Sequence, residues 1–137
     1  MPNGLHNLAA LIGRLLLAIL FIKFGFDKVT GFNGTVGYIA SHGLPMPSVL
    51  AALATIVELG GGILIAVGLF TRWAALALAA FCVLTSVLFH AFWAAPEAGR
   101  MGEQIEFLKD FALAGGLLVL AAFGAGALSV DAKRNAA

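Results

Sequence analysis

The chain has 137 residues, 61% of them hydrophobic before its 17 glycines are counted, and its 8 basic and 7 acidic side chains leave a net charge of +1. So few charges cannot cover the surface of a soluble domain this size, and intrinsic disorder needs the opposite balance of charge and hydrophobicity. No basic run exceeds Lys133-Arg134, which argues against nucleic-acid binding.

An integral membrane protein remains, and four apolar stretches are expected to span: residues 8–26, 49–69, 73–93 and 105–123. Each approaches the ~20 residues that cross a hydrocarbon layer as a helix. They are too long for barrel strands and lack period-2 alternation, so the expected fold is all-α, an integral membrane four-helix transmembrane bundle forming one domain over residues 1–137. The first stretch carries no clustered basic start and is interrupted by Lys23, so it reads as a retained helix rather than a signal peptide.

The connection 27–47 is rich in Gly and Pro but holds Phe32, Tyr38 and Ile39, which suits a short helix or re-entrant segment at the interface. Only Phe70-Thr71-Arg72 separates the second and third stretches, making them antiparallel neighbours. Residues 94–104 read as a loop before the fourth stretch, and residues 129–137 as a polar tail. An even span count puts both termini on one side. Arg72, Lys133 and Arg134 share that side, against Lys28 and Arg100 opposite, which favours cytoplasmic termini.

A charge near mid-span costs about 2.5–3.5 kcal/mol on insertion scales and calls for a partner or a task. Glu58 sits there, followed by Gly60-Gly61-Gly62, small residues that let a neighbouring helix approach. Arg14 is its expected partner in a structural ion pair, since a guanidinium grips carboxylates in a fork. At 100° per residue Arg14, Phe21, Gly25 and Lys28 share one stripe, while Lys23 points away and snorkels. The third stretch carries Cys82, Thr85, Ser86 and His90 on one face, and the fourth opens with Glu106, Lys109 and Asp110, then Gly115-Gly116, a further expected close contact.

Lys28, His90, Lys109 and Asp110 therefore gather near the membrane face away from the termini, with Glu58 deeper. They are the candidate ligand-binding residues. Mixed-sign groups above an apolar bundle suit a polar head with an apolar tail, such as a quinone or a lipid. His6, His42 and His90 are widely separated, so no metal site is expected, and lone Cys82 excludes a dithiol pair or cysteine-held cluster. No catalytic residue stands out.

Gly13-Arg14, Gly25-Phe26-Asp27-Lys28 with Phe32, Gly43-Leu44-Pro45, Glu58-Leu59-Gly60-Gly61 and Gly68-Leu69-Phe70-Thr71-Arg72 together resemble the DoxX family of small four-helix bacterial membrane proteins. The likeness continues through Phe89-His90-Ala91-Phe92-Trp93, Phe107-Leu108-Lys109-Asp110 and Ser129-Val130-Asp131, nearly the whole chain in order. The family often has Lys-Asn where this chain has Lys109-Asp110. The resemblance implies a multi-pass protein of the bacterial inner membrane. Some members look like membrane subunits of quinone-linked sulfur oxidation, and others are associated with redox maturation or oxidative-stress complexes.

Two functions follow as expectations. One is a redox-associated membrane subunit that binds a quinone-like molecule and works with a partner oxidoreductase, since the chain has no intrinsic cofactor. The other is a non-enzymatic scaffold or small-molecule permeation protein, whose glycine-rich faces would permit a homo-oligomer.

Overall fold

Backbone amides find no water inside a bilayer, so apolar runs of this length close their hydrogen bonds within helices. The computed structural model describes residues 3–136, and every regular element among them is helical. Helix α1 (Asn3–Thr30) buries Arg14, Ala18, Phe21 and Gly25 along one stripe, the spacing expected from 100° per residue. Its 28 residues rise about 42 Å at 1.5 Å each, more than a hydrocarbon layer of about 30 Å.

The Gly-rich connection contains a short helix, α2 (Phe32–Ser41), which buries Ile39 and stops before Gly43 at φ 72°. Pro47 then opens α3 (Pro47–Thr55), at a position where its missing N–H costs nothing. The chain winds through one π-helical segment, Ile56–Gly60, and continues as α4 (Gly61–Val67). Pro47–Val67 thus form a single rod of 21 residues.

That rod ends at Gly68, whose φ of 72° is the left-handed conformation favoured after a helix. A Cβ at this position would lie 2.5 Å from the Ser129 Cβ. The antiparallel α5 (Thr71–Phe89) follows at once. A 3-10 turn, Phe92–Ala94, leads to α6 (Glu97–Phe123), and α7 (Val130–Ala136) closes the described chain.

Among the described residues, three helical segments are long and apolar enough to cross a membrane: Asn3–Thr30, Pro47–Val67 and Thr71–Ala94. Helix α6 has the length, at 27 residues, yet it differs in charge because Glu106, Lys109 and Asp110 enter its apolar half. Its start also departs from expectation. Residues 97–104 are helix rather than loop, because Pro96 and Glu97 supply a helix start that Gly99 and Gly102 do not interrupt.

Helices α5 and α6 pack along most of their length, while α1 lies against α4 and the π segment. Their shared core is built of Phe21, Ile65, Leu78 and Leu117 set among alanines 18, 74, 75, 79, 114 and 121. Small residues let membrane helices approach, and close packing is then the main attraction between them. Gly25 is the tightest case: a Cβ there would fall 2.6 Å from the Leu59 amide nitrogen. Gly61 faces Leu78 and Gly62 faces α1, as expected, whereas Gly60 meets nothing within 4 Å. Gly115 meets nothing within 4 Å and Gly116 only the Leu17 side chain at 3.6 Å, so this pair marks no tight crossing. Large apolar side chains such as Leu16, Ile19 and Phe123 point outward, the last 83% exposed, as lipid-facing residues do.

Candidate functional site

The π segment shapes the interior. A π turn inserts one extra residue into a helix, shifting the residues beyond it around the axis, and such turns recur at functional sites. Here the segment carries Glu58, which is only 5% exposed. Gly25 allows α1 close enough that Lys28, one turn further on, reaches it. The Lys28 ammonium lies 2.7 Å from one Glu58 carboxylate oxygen. At that distance the ammonium and the buried carboxylate form a charge-assisted pair.

The Lys28 and Glu58 pair opens into a cavity of about 240 Å³ lined by α1, α2, the Pro47–Val67 rod, α5 and α6. Its lining takes in all five candidate residues, Lys28, Glu58, His90, Lys109 and Asp110. Phe21, Phe24, Phe81 and Phe89 supply apolar wall, and Cys82 and Thr85 join from the expected polar face of α5. The fourth member of that face, Ser86, is buried and donates its hydroxyl to the Phe107 carbonyl at 3.3 Å, tying α5 to α6.

Charges around the mouth are mostly paired. His90 Nδ1 lies 2.9 Å from a Glu103 oxygen. An ionised carboxylate only accepts, so Nδ1 donates, and Nε2 of a neutral ring is left as an acceptor. Lys109 pairs with Glu106 one turn earlier. Lys23, outside the cavity, pairs with Asp27 at 2.5 Å. Asp110 lines the cavity with no ion partner among the described residues. Tyr38 stacks on Phe89 at 5.4 Å between ring centres, and His42 packs edge-on to Phe89 at 5.0 Å. Neither Tyr38 nor Glu103 was among the candidate residues. Tyr38 is brought in by α2, the short helix that Phe32, Tyr38 and Ile39 suggest in this connection, and Glu103 by the extra turns of α6.

The expected ion pair of Arg14 with Glu58 does not form. Gly25 sets the level of Leu59, and Arg14 lies eleven residues back along α1, about 16 Å away at 1.5 Å per residue. Arg14 is 3% exposed and serves the other end of the molecule. Its guanidinium donates to the Ala125 carbonyl at 2.6 Å, Leu128 at 2.9 Å and Ala66 at 3.4 Å. Arg72 likewise donates to the Ala121 and Ala122 carbonyls at the end of α6.

Asp131 completes this face. Its carboxylate accepts from the Phe70 and Thr71 amides, both at 2.9 Å, and so caps the start of α5. Its own amide donates to the Gly68 carbonyl at 2.8 Å. Desolvation raises the Asp131 carboxyl, but the Thr71 and Phe70 donors with the Arg134 charge outweigh it and hold it below the usual carboxylate range.

Apolar helices facing outward around a cavity of paired charges define a small helical membrane protein with a polar interior site. The chain belongs to the DoxX family, whose profile matches residues 9–91, a stretch that includes Arg14, Lys28, Glu58 and His90. It is similar to the inner membrane protein YphA of Escherichia coli (strain K12), 40% identical over 123 residues, covering 90% of this chain and 88% of that protein. The inner membrane protein YqjF of the same organism is 38% identical over 131 residues, 96% of this chain and 95% of its own. CatD of Bacillus subtilis (strain 168), provisionally named an oxidoreductase, is 36% identical over 70 residues, 51% of each chain. No solved structure matches the chain.

Proposed function

We propose that this DoxX-family protein is a redox-associated subunit of the bacterial inner membrane that binds a quinone-like molecule in the cavity and works with a partner oxidoreductase. The observation that carries the reading is the buried Glu58 carboxylate paired with the Lys28 ammonium in the lining of an aromatic-walled cavity. A dihydroxy ring can donate to that carboxylate and a carbonyl can accept from Lys28, so one pair of side chains suits both redox forms of such a head. The provisional oxidoreductase name of CatD adds support. Electrons come from the partner, because no resident redox group is part of this proposal.

In this reading α6 is the fourth span. Its charged residues lie at the cavity rather than in lipid, where their cost falls. Both termini then share the cytoplasmic side with Arg72, Lys133 and Arg134. Purified protein in nanodiscs is expected to bind a tailless benzoquinone, and Glu58→Gln is expected to weaken binding of the reduced form about tenfold, as a lost hydrogen bond to a charged group implies. Unchanged binding in that variant overturns the assignment.

A scaffold or small-molecule permeation role has one observation in its favour, the pairing of Lys28, His90 and Lys109 with carboxylates. It predicts that Glu58→Gln lowers thermal stability in detergent while leaving no quinone binding to lose.

A further inference from the structure

The polar cavity has an apolar continuation. A second cavity of about 250 Å³ lies between the α3 end of the Pro47–Val67 rod and α5, under α2 and Leu44. The two share five lining residues, Ile39, Ala54, Phe81, Thr85 and Phe89, so they adjoin along a common wall and differ in chemistry. Every side chain around the second part is apolar except Thr85, and the Thr85 hydroxyl is spent on the Phe81 carbonyl of its own helix at 2.9 Å. No side chain offers an occupant of this part a free hydrogen-bond donor, which suits hydrocarbon.

The space has a structural cause. Helix α5 packs on α4 and touches the π segment, but it leaves α3 nearly free. The opening lies beside α3, at the N-terminal side of the π segment. At its outer lips stand Leu53 and Leu84, 53% and 58% exposed, on the faces that meet lipid.

We propose that this groove is a lateral portal that holds the hydrocarbon tail of the ligand, so that the substrate class is a long-tailed amphiphile reaching the polar cavity from the bilayer between α3 and α5. The proposal rests on the cavity being the site of the polar head. The tail lies against Leu50, Leu53, Val57, Leu84 and Leu88, and the head stops at Lys28 and Glu58. The groove adds position more than affinity, because a tail leaving lipid gains little from burial elsewhere.

The test uses the full chain in nanodiscs and a benzoquinone carrying a ten-carbon chain with a diazirine midway. Photolysis is expected to concentrate adducts on residues 50–57 and 81–89. Leu84→Trp is expected to cut that labelling about tenfold, and Leu53→Trp serves as a second variant should the first fail to fold. Labelling spread evenly over the lipid-facing helices, or left intact in both Trp variants, overturns the portal. A separate arm measures binding of the tailless quinone. Tailless binding with diffuse tail labelling overturns the portal and spares the head site. Absent tailless binding with labelling confined to the groove overturns the head site and supports the groove as a hydrocarbon site.

Discussion

Lys28 and Glu58 face each other across the crossing of α1 with the π segment, their charged atoms 2.7 Å apart, and Glu58 is almost wholly buried. The arrangement carries a first prediction. Removing one charge leaves the other in a low-dielectric site, which costs about 3–5 kcal/mol, whereas replacing both is often close to neutral. Lys28→Met alone is expected to lower the melting temperature in detergent markedly, and Lys28→Met with Glu58→Gln to recover most of it. A double variant as unstable as the single one would show that the two side chains are not energetically coupled.

Arg14 gives a second. Three carbonyls from two separate segments converge on one guanidinium. Lysine keeps the charge but not the planar fork. Arg14→Lys is therefore expected to loosen residues 124–129, seen as faster cleavage there by limited proteolysis, with helices α1 to α6 still protected.

Asp131 gives a pH dependence whose sign is fixed by its lowered carboxyl. A group held below its unfolded value stabilises at neutral pH, and that contribution is lost as pH falls through the folded value. Loss of a helix cap costs about 1 kcal/mol. Asp131→Asn is expected to lower stability by that order at pH 7, and the difference from the native chain is expected to begin shrinking below about pH 4 and to vanish only once pH falls past the lowered folded value. A difference that persists or grows in acid would contradict the capping role.

The glycines supply a matched pair. A methyl at Gly25 meets the Leu59 backbone at 2.6–2.7 Å, while one at Gly115 meets nothing within 4 Å. Gly25→Ala is expected to destabilise by about 1–3 kcal/mol through overpacking, and Gly115→Ala to be neutral or slightly stabilising. Thermal unfolding of the two variants side by side decides it.

Much of this was readable from residue spacing. The Arg14, Phe21, Gly25 stripe follows from 100° per residue, and the buried face of α1 matches it. Lys28, His90, Lys109 and Asp110 are expected near one membrane face with Glu58 deeper, and all five line one cavity. Arg14's partners were illegible for a physical reason: they are backbone carbonyls, which every residue carries, so no side chain announces them. The π segment was hidden too, since Ile56–Gly60 has a composition that α-helix would accept equally. The early start of α6 was masked by Gly99 and Gly102, whose weak helix preference is overridden in place.

The contact of Arg14 with Ala125 and Leu128 spans 111 and 114 residues of sequence. During synthesis α1 therefore enters the bilayer with a guanidinium whose acceptors have not yet left the ribosome. Until they emerge, Arg14 must reach toward headgroups or water, and α1 must sit shallow or tilted. The carbonyls of the last turn draw it to its final depth. Anchoring of the first helix is thus completed by the last part of the chain, and a polypeptide ending before Ala125 leaves Arg14 only the Ala66 carbonyl, the longest of its three contacts.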